Sequence, residues 1–132
     1  MTKIQDYTGN YLKQSLEELL DEVTVSITSQ NPQAQVILFG SYARGDYTQN
    51  SDMDICVLVP KLTSRREEMA VDAMCAIPDN FPLPYDLVLY TFDEFEEDKQ
   101  NKNLLGYKIY KDGVMLNDKK GTGRIDFANS HK

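Results

Sequence analysis

One histidine and two cysteines are all that 132 residues offer of the side chains on which most nucleophilic and soft-metal sites are built. His131 lies in a polar C-terminal stretch, which argues against histidine-based catalysis and histidine-rich metal sites. A general base then has to be a carboxylate or water. Cys56 sits in a strand-like run and Cys75 in a helix-like one, with no CxxC pair, and both read as small buried apolar residues. No apolar run approaches the roughly 20 residues of a membrane span. The opening MTKIQDYTGN lacks the apolar centre of a secretory signal, so a soluble cytoplasmic protein without membrane contact is expected. Positive charge is scarce too: 14 Lys and Arg stand against 21 Asp and Glu, a net charge of −7. Arg65-Arg66 and Lys119-Lys120 are isolated pairs of solvated surface, not the basic stripe that grips long nucleic acids.

What is present is one domain's worth of patterned chain. Leu12, Leu16, Leu19, Leu20, Val23 and Ile27 recur at helical spacing and predict a helix from about Tyr11 to Ser29, stopped by Asn31-Pro32. AQVILF (34–39), DICVLVP (54–60) and YDLVLY (85–90) predict buried strands. Ser64 and Glu67 have the spacing of a capping box, opening a helix that buries Met69, Ala70, Ala73, Met74 and Ile77. Thr91 and Glu94 repeat that spacing before a short acidic helix ending near Gly106. YKIYKDGVMLN (107–117) predicts a hairpin turning at Asp112-Gly113, with Tyr107 and Tyr110 in its first strand. The order gives an α/β (α+β) fold, a small mixed sheet with helices packed against it. Its first two strands are expected to be antiparallel, because the Gly-Ser loop and not a full helix joins them. A single domain over 1–118 with a flexible tail over 119–132 is expected.

The chemistry concentrates in FGSYARGDYTQNSDMDICV (39–57). Asp52 and Asp54 are two apart, so on a strand both side chains share a face, with Cα atoms about 6.5 Å apart at a rise near 3.3 Å per residue. That span suits carboxylates sharing magnesium, which takes hard oxygen ligands and substrate phosphates. A solvated strand entrance is the bland alternative. Gly40-Ser41 follows a buried strand in a turn whose backbone N–H groups and hydroxyl make a phosphate cradle, or simply a turn. Arg44 is placed to pair either with a phosphate or with Asp46. Asp86 stands in a run that reads as buried strand, where an aspartate is costly unless paired or metal-bound. Three carboxylates side by side stay ionised only with a cation between them.

Gly-Ser, ten residues, Asp-x-Asp and a later strand aspartate resemble the signature of the DNA polymerase β-like nucleotidyltransferase superfamily. LFGSYARGDYTQNSDMDICVLV is similar to the form found in minimal nucleotidyltransferases, and the likeness runs from the first helix to near Leu116. The resemblance implies a polymerase β-like core in which Gly40 and Ser41 hold the nucleotide's phosphates. Asp52 and Asp54 would bind two Mg²⁺ ions, and Asp86 would complete the second metal site and help deprotonate an acceptor hydroxyl. ATP is the family's usual substrate. Many such proteins are antitoxins that transfer AMP to a tyrosine of a HEPN-domain ribonuclease toxin, and an acidic surface suits a basic partner. A small-molecule transferase similar to the aminoglycoside nucleotidyltransferases, with a pocket completed in a homo-oligomer, and an antitoxin acting by contact alone are the alternatives.

Overall fold

The computed structural model describes residues 1–117 and the backbone of Ile125–Asp126. The elements are α1 (Leu16–Gln30), β1 (Gln35–Phe39), α2 (Ser41–Arg44), β2 (Met53–Val59), α3 (Arg66–Ala76), β3 (Tyr85–Thr91), α4 (Phe92–Asp98), α5 (Leu105–Asp112), β4 (Val114–Met115) and β5 (Ile125–Asp126). They form a five-stranded sheet in the order β3-β2-β1-β4-β5. β1 and β2 are antiparallel, as expected, while β2 and β3 run parallel across the α3 crossover. The sheet is therefore mixed. No described helix is long and apolar enough to cross a membrane.

Alternation along the strands builds two cores, one on each face of the sheet. Val36, Leu38, Ile55 and Val57 pack with Leu19, Leu20, Val23 and Ile27 of α1. Ile37, Phe39, Cys56 and Leu58 face the other way, onto Phe95 of α4 and Ile109 of α5. This two-sided burial explains why DICVLV is apolar at every position beyond its first.

Five expectations need correction. The acidic helix α4 ends at Asp98, and Gly106 lies inside the separate helix α5. The first helix begins at Leu16, not near Tyr11, because Ser15 and Glu18 form a complete capping box: the Glu18 N–H donates to Ser15 Oγ at 3.2 Å and the Ser15 N–H to Glu18 Oε1 at 2.9 Å. The Ser64–Glu67 box does not form. Arg65 occupies the cap of α3, and the next residue, Arg66, reaches across to Glu94 Oε1 at 2.8 Å, so a tertiary ion pair sets this end. Cys75 is exposed, since α3 lies on the surface with no fully buried residue, whereas Cys56 is buried as expected.

The largest difference is residues 107–112, which are helix, not the first strand of a hairpin. Gly113 ends α5 in extended backbone, φ −69° and ψ 145°, donating its N–H to the Ile109 carbonyl at 2.7 Å. A Cβ there would also crowd Ile37, so the chain passes close over β1. β4 then pairs with β1, Ile37 opposite Met115, and Asn117 extends the pairing by accepting from the Val36 N–H at 2.8 Å. The Thr91–Glu94 box does form and opens α4. The expected tail over 119–132 lies outside the described residues, apart from the backbone of β5, which pairs with β4.

On α5, Ile109 is fully buried and Lys108 exposed. Ile109→Ala is expected to cost about 2–5 kcal/mol, and Lys108→Ala less than about 0.5 kcal/mol, measured by urea denaturation. Comparable costs at the two positions would contradict the packing of Ile109 against β1.

Candidate active site

The end of β1 makes the site. After Phe39 the chain turns through Gly40 at φ +74°, a left-handed conformation that side-chain-bearing residues avoid. Phe39 pairs with Asp54, so this turn lies over the start of β2. A Cβ on Gly40 would overlap the Asp54 carboxylate. Glycine is needed here twice, for its conformation and for the space. Ser41 then opens α2, whose first internal bonds run from the N–H groups of Ala43 and Arg44 to the Gly40 carbonyl at 3.1 and 3.0 Å. The N–H groups of Ser41 and Tyr42 have no backbone partner among the described residues.

Strand register brings the carboxylates together. Asp54 lies directly opposite Asp86 in the parallel β2–β3 pair, so both side chains share a face. Asp52, just before β2, lies close enough for its charge to act on Asp54. The Asp54 carboxyl is held above its ordinary range by burial first, then by the charges of Asp86 and Asp52, with Arg44 pulling the other way. Asp86 itself is exposed, because β3 is an edge strand. Its presence in an apolar run therefore reflects an open strand entrance and not burial; the register, not the desolvation, ties it to Asp54.

These groups fit a magnesium–nucleotide site in chemistry. The donors are hard carboxylate oxygens, burial and then their mutual repulsion raise the Asp54 pKa, and the glycine turn leaves backbone N–H groups open beside them. Among the described residues no group of three or more His, Cys, Asp or Glu is arranged to hold a metal ion unaided. Magnesium commonly takes one or two carboxylates and completes its shell with substrate phosphates, so a set of this kind would be finished by a nucleotide.

Arg44 is not idle. Its Nε pairs with Asp46 at 3.2 Å and its Nη1 with Asp112 at 3.1 Å, ties that join α2 to the end of α5. It stays half-exposed and within electrostatic reach of Asp54. Two tyrosines inside the motif escaped the sequence reading. Tyr42 is buried and stacks on Tyr47 with ring centroids 4.3 Å apart and planes 7° from parallel. The Tyr42 phenol is pushed up by burial, then by Tyr47 and Asp52. Their five-residue separation follows neither helix nor strand periodicity, so no pattern announced the stack. Tyr42 also lines a cleft of about 200 Å³ with Tyr7, Ser51, Leu83 and Pro84, residues that adjoin Asp52 and lead into β3.

The nucleotidyltransferase domain family matches residues 16–111, and the chain belongs to that family. A Methanocaldococcus jannaschii chain named putative protein adenylyltransferase is 40% identical over 55 residues, covering 42% of this chain and 52% of that one. The chain thus matches about half the length of that relative. Among solved structures, a putative nucleotidyltransferase from Sulfolobus solfataricus is similar at a TM-score of 0.53 and 23% identity, covering 83% of this chain and 86% of the other. A toxin–antitoxin structure with AMP-PNP is similar at a TM-score of 0.52 and 23% identity, covering 76% of this chain and 74% of its own. At such identities these structures support the fold, and the two-faced mixed sheet is the nucleotidyltransferase one.

The raised Asp54 pKa has a measurable consequence. A carboxyl whose folded pKa is raised binds its proton more tightly in the folded state, so stability falls as pH rises from the ordinary carboxylate range through the raised value. At neutral pH without metal, Asp54→Asn is therefore expected to raise the melting temperature, with the gain vanishing below the ordinary carboxylate range. A lower melting temperature for the variant at neutral pH would contradict the assigned electrostatics.

Proposed function

We propose that the protein is a magnesium-dependent nucleotidyltransferase that moves AMP from ATP to a hydroxyl, and that it is an antitoxin whose acceptor is a tyrosine of a HEPN-type ribonuclease toxin. The observation that carries this reading is the row of Asp54 and Asp86 in register across β2 and β3, with Asp52 beside them and the Gly40 turn closed onto Asp54. Transfer to a protein is supported by the relative named protein adenylyltransferase, and an antitoxin role by the toxin–antitoxin neighbour.

The chain's own groups divide the work. The open N–H groups of Ser41 and Tyr42 and the Ser41 hydroxyl orient the β and γ phosphates, while Arg44 remains close enough to exchange a carboxylate for a phosphate oxygen. Asp52, Asp54 and Asp86 would hold magnesium, which supplies charge neutralisation on the triphosphate when bound. Asp86, the exposed member, accepts the acceptor's proton as its oxygen attacks the α-phosphorus. The bond from the α-phosphorus to the α,β-bridging oxygen breaks and pyrophosphate leaves. Positioning and fixed charge dominate such a step.

The test is label transfer in host lysate, with magnesium and ATP labelled at either the α or the γ phosphate. Label from the α position alone, on a discrete protein band, is expected, and its loss by at least roughly a hundredfold in Asp52→Asn and in Asp54→Asn. Label on a small molecule would replace the protein acceptor with an aminoglycoside-like substrate. Neutralisation of a toxin without any transfer would favour a contact-only antitoxin, and transfer of the γ label would contradict the reaction itself.

A further inference from the structure

The outer edge of β3 carries no strand among the described residues. Backbone groups alternate along it: the Met53 N–H donates to the Pro84 carbonyl, so Pro84, Asp86, Val88 and Tyr90 face β2, and Leu87, Leu89 and Thr91 face outward. The far end of this edge is blunted by side chains. Arg66 Nη1 donates to the Leu89 carbonyl at 3.0 Å, and Glu94 accepts the Thr91 N–H at 2.8 Å. The N–H and C=O of Leu87 and the N–H of Leu89 have no partner among the described residues. They border a groove of about 600 Å³ between α3 and α4, floored by Ala70, Leu87 and Leu89 and rimmed by Glu67, Glu97 and Asp98. Arg66 and Glu94 neutralise each other, which leaves the rim acidic.

We propose that this edge docks an extended segment of a partner protein rich in lysine or arginine, which pairs with Leu87 and sets a hydroxyl residue opposite Asp86. The last clause rests on the transferase reading; the docking does not. Open backbone groups bind an extended chain by strand addition, and an apolar floor with a charged rim selects its side chains. Register supplies the rest. The residue paired opposite Asp86 puts its side chain on the face already holding Asp54 and Asp86, one strand spacing of about 4.8 Å away. A second copy of this chain is the poorer occupant, because it would bring two acidic rims together on molecules of net charge −7.

The probes are three peptides: alternating lysine and valine with one central tyrosine, its glutamate-for-lysine counterpart, and a glycine-for-valine version that keeps charge but forms strands poorly. Amide NMR of the full chain without nucleotide is expected to show the lysine–valine peptide shifting Leu87 and Leu89 and slowing exchange at the Leu87 amide. The glutamate peptide leaves them unchanged, and Glu67→Lys with Glu97→Lys weakens binding roughly tenfold. Equal binding of the glycine version, indifference to the charge reversals, shifts that miss Leu87, or pairing of two copies at β3 would each overturn the proposal. Added magnesium and α-labelled ATP then separate the two readings. Label on the tyrosine peptide without Leu87 protection contradicts the docking alone, whereas protection without label supports the docking and counts against the transferase.

Discussion

Everything at the site depends on the contact between Gly40 and Asp54. β1 ends one residue before a left-handed turn, and that turn folds back onto the carboxylate of the strand paired with β1. Any side chain at position 40 would force the turn and β2 apart. The contact fixes the distance between a backbone able to hold phosphates and a carboxylate able to hold their counter-ion. Both partners are anchored: Phe39 and Met53 beside them are buried, so neither can move away to relieve the crowding.

The sheet's two cores explain how like charges can be kept together. Asp54 stands on the α4–α5 face, in line with Cys56 and Leu58, which are buried against Phe95 and Ile109. The strand ends therefore project carboxylates from a rigid apolar base. Their repulsion is a local cost that the surrounding packing offsets and that a bound cation would relieve. Arg44 relieves part of it, yet is drawn aside by Asp46 and Asp112.

Much of this was legible in the sequence because it is local. Short apolar runs exposed β1, β2 and β3, the lack of a full helix between Phe39 and β2 implied the antiparallel pair, and the Gly-Ser to Asp-x-Asp spacing singled out Gly40, Ser41, Asp52 and Asp54. What stayed hidden is set by tertiary contacts. Asp112-Gly113 carries the same dipeptide whether it turns a hairpin or stops a helix, and packing of Ile109 against β1 decides for the helix. The start of α3 follows the Arg66–Glu94 pair over the local Ser64 signal. Asp86 was chosen for a burial it does not have. Its relation to Asp54 is a fact of parallel register, which no local pattern encodes.

The most direct measurement is a crystal structure with magnesium and a non-hydrolysable ATP analogue. The account predicts metal between the triphosphate and the carboxylates of Asp52, Asp54 and Asp86, with the β and γ phosphates on the Gly40–Ser41 turn. A nucleotide seated away from that turn, or bound there with the three carboxylates turned from its phosphates, would contradict it.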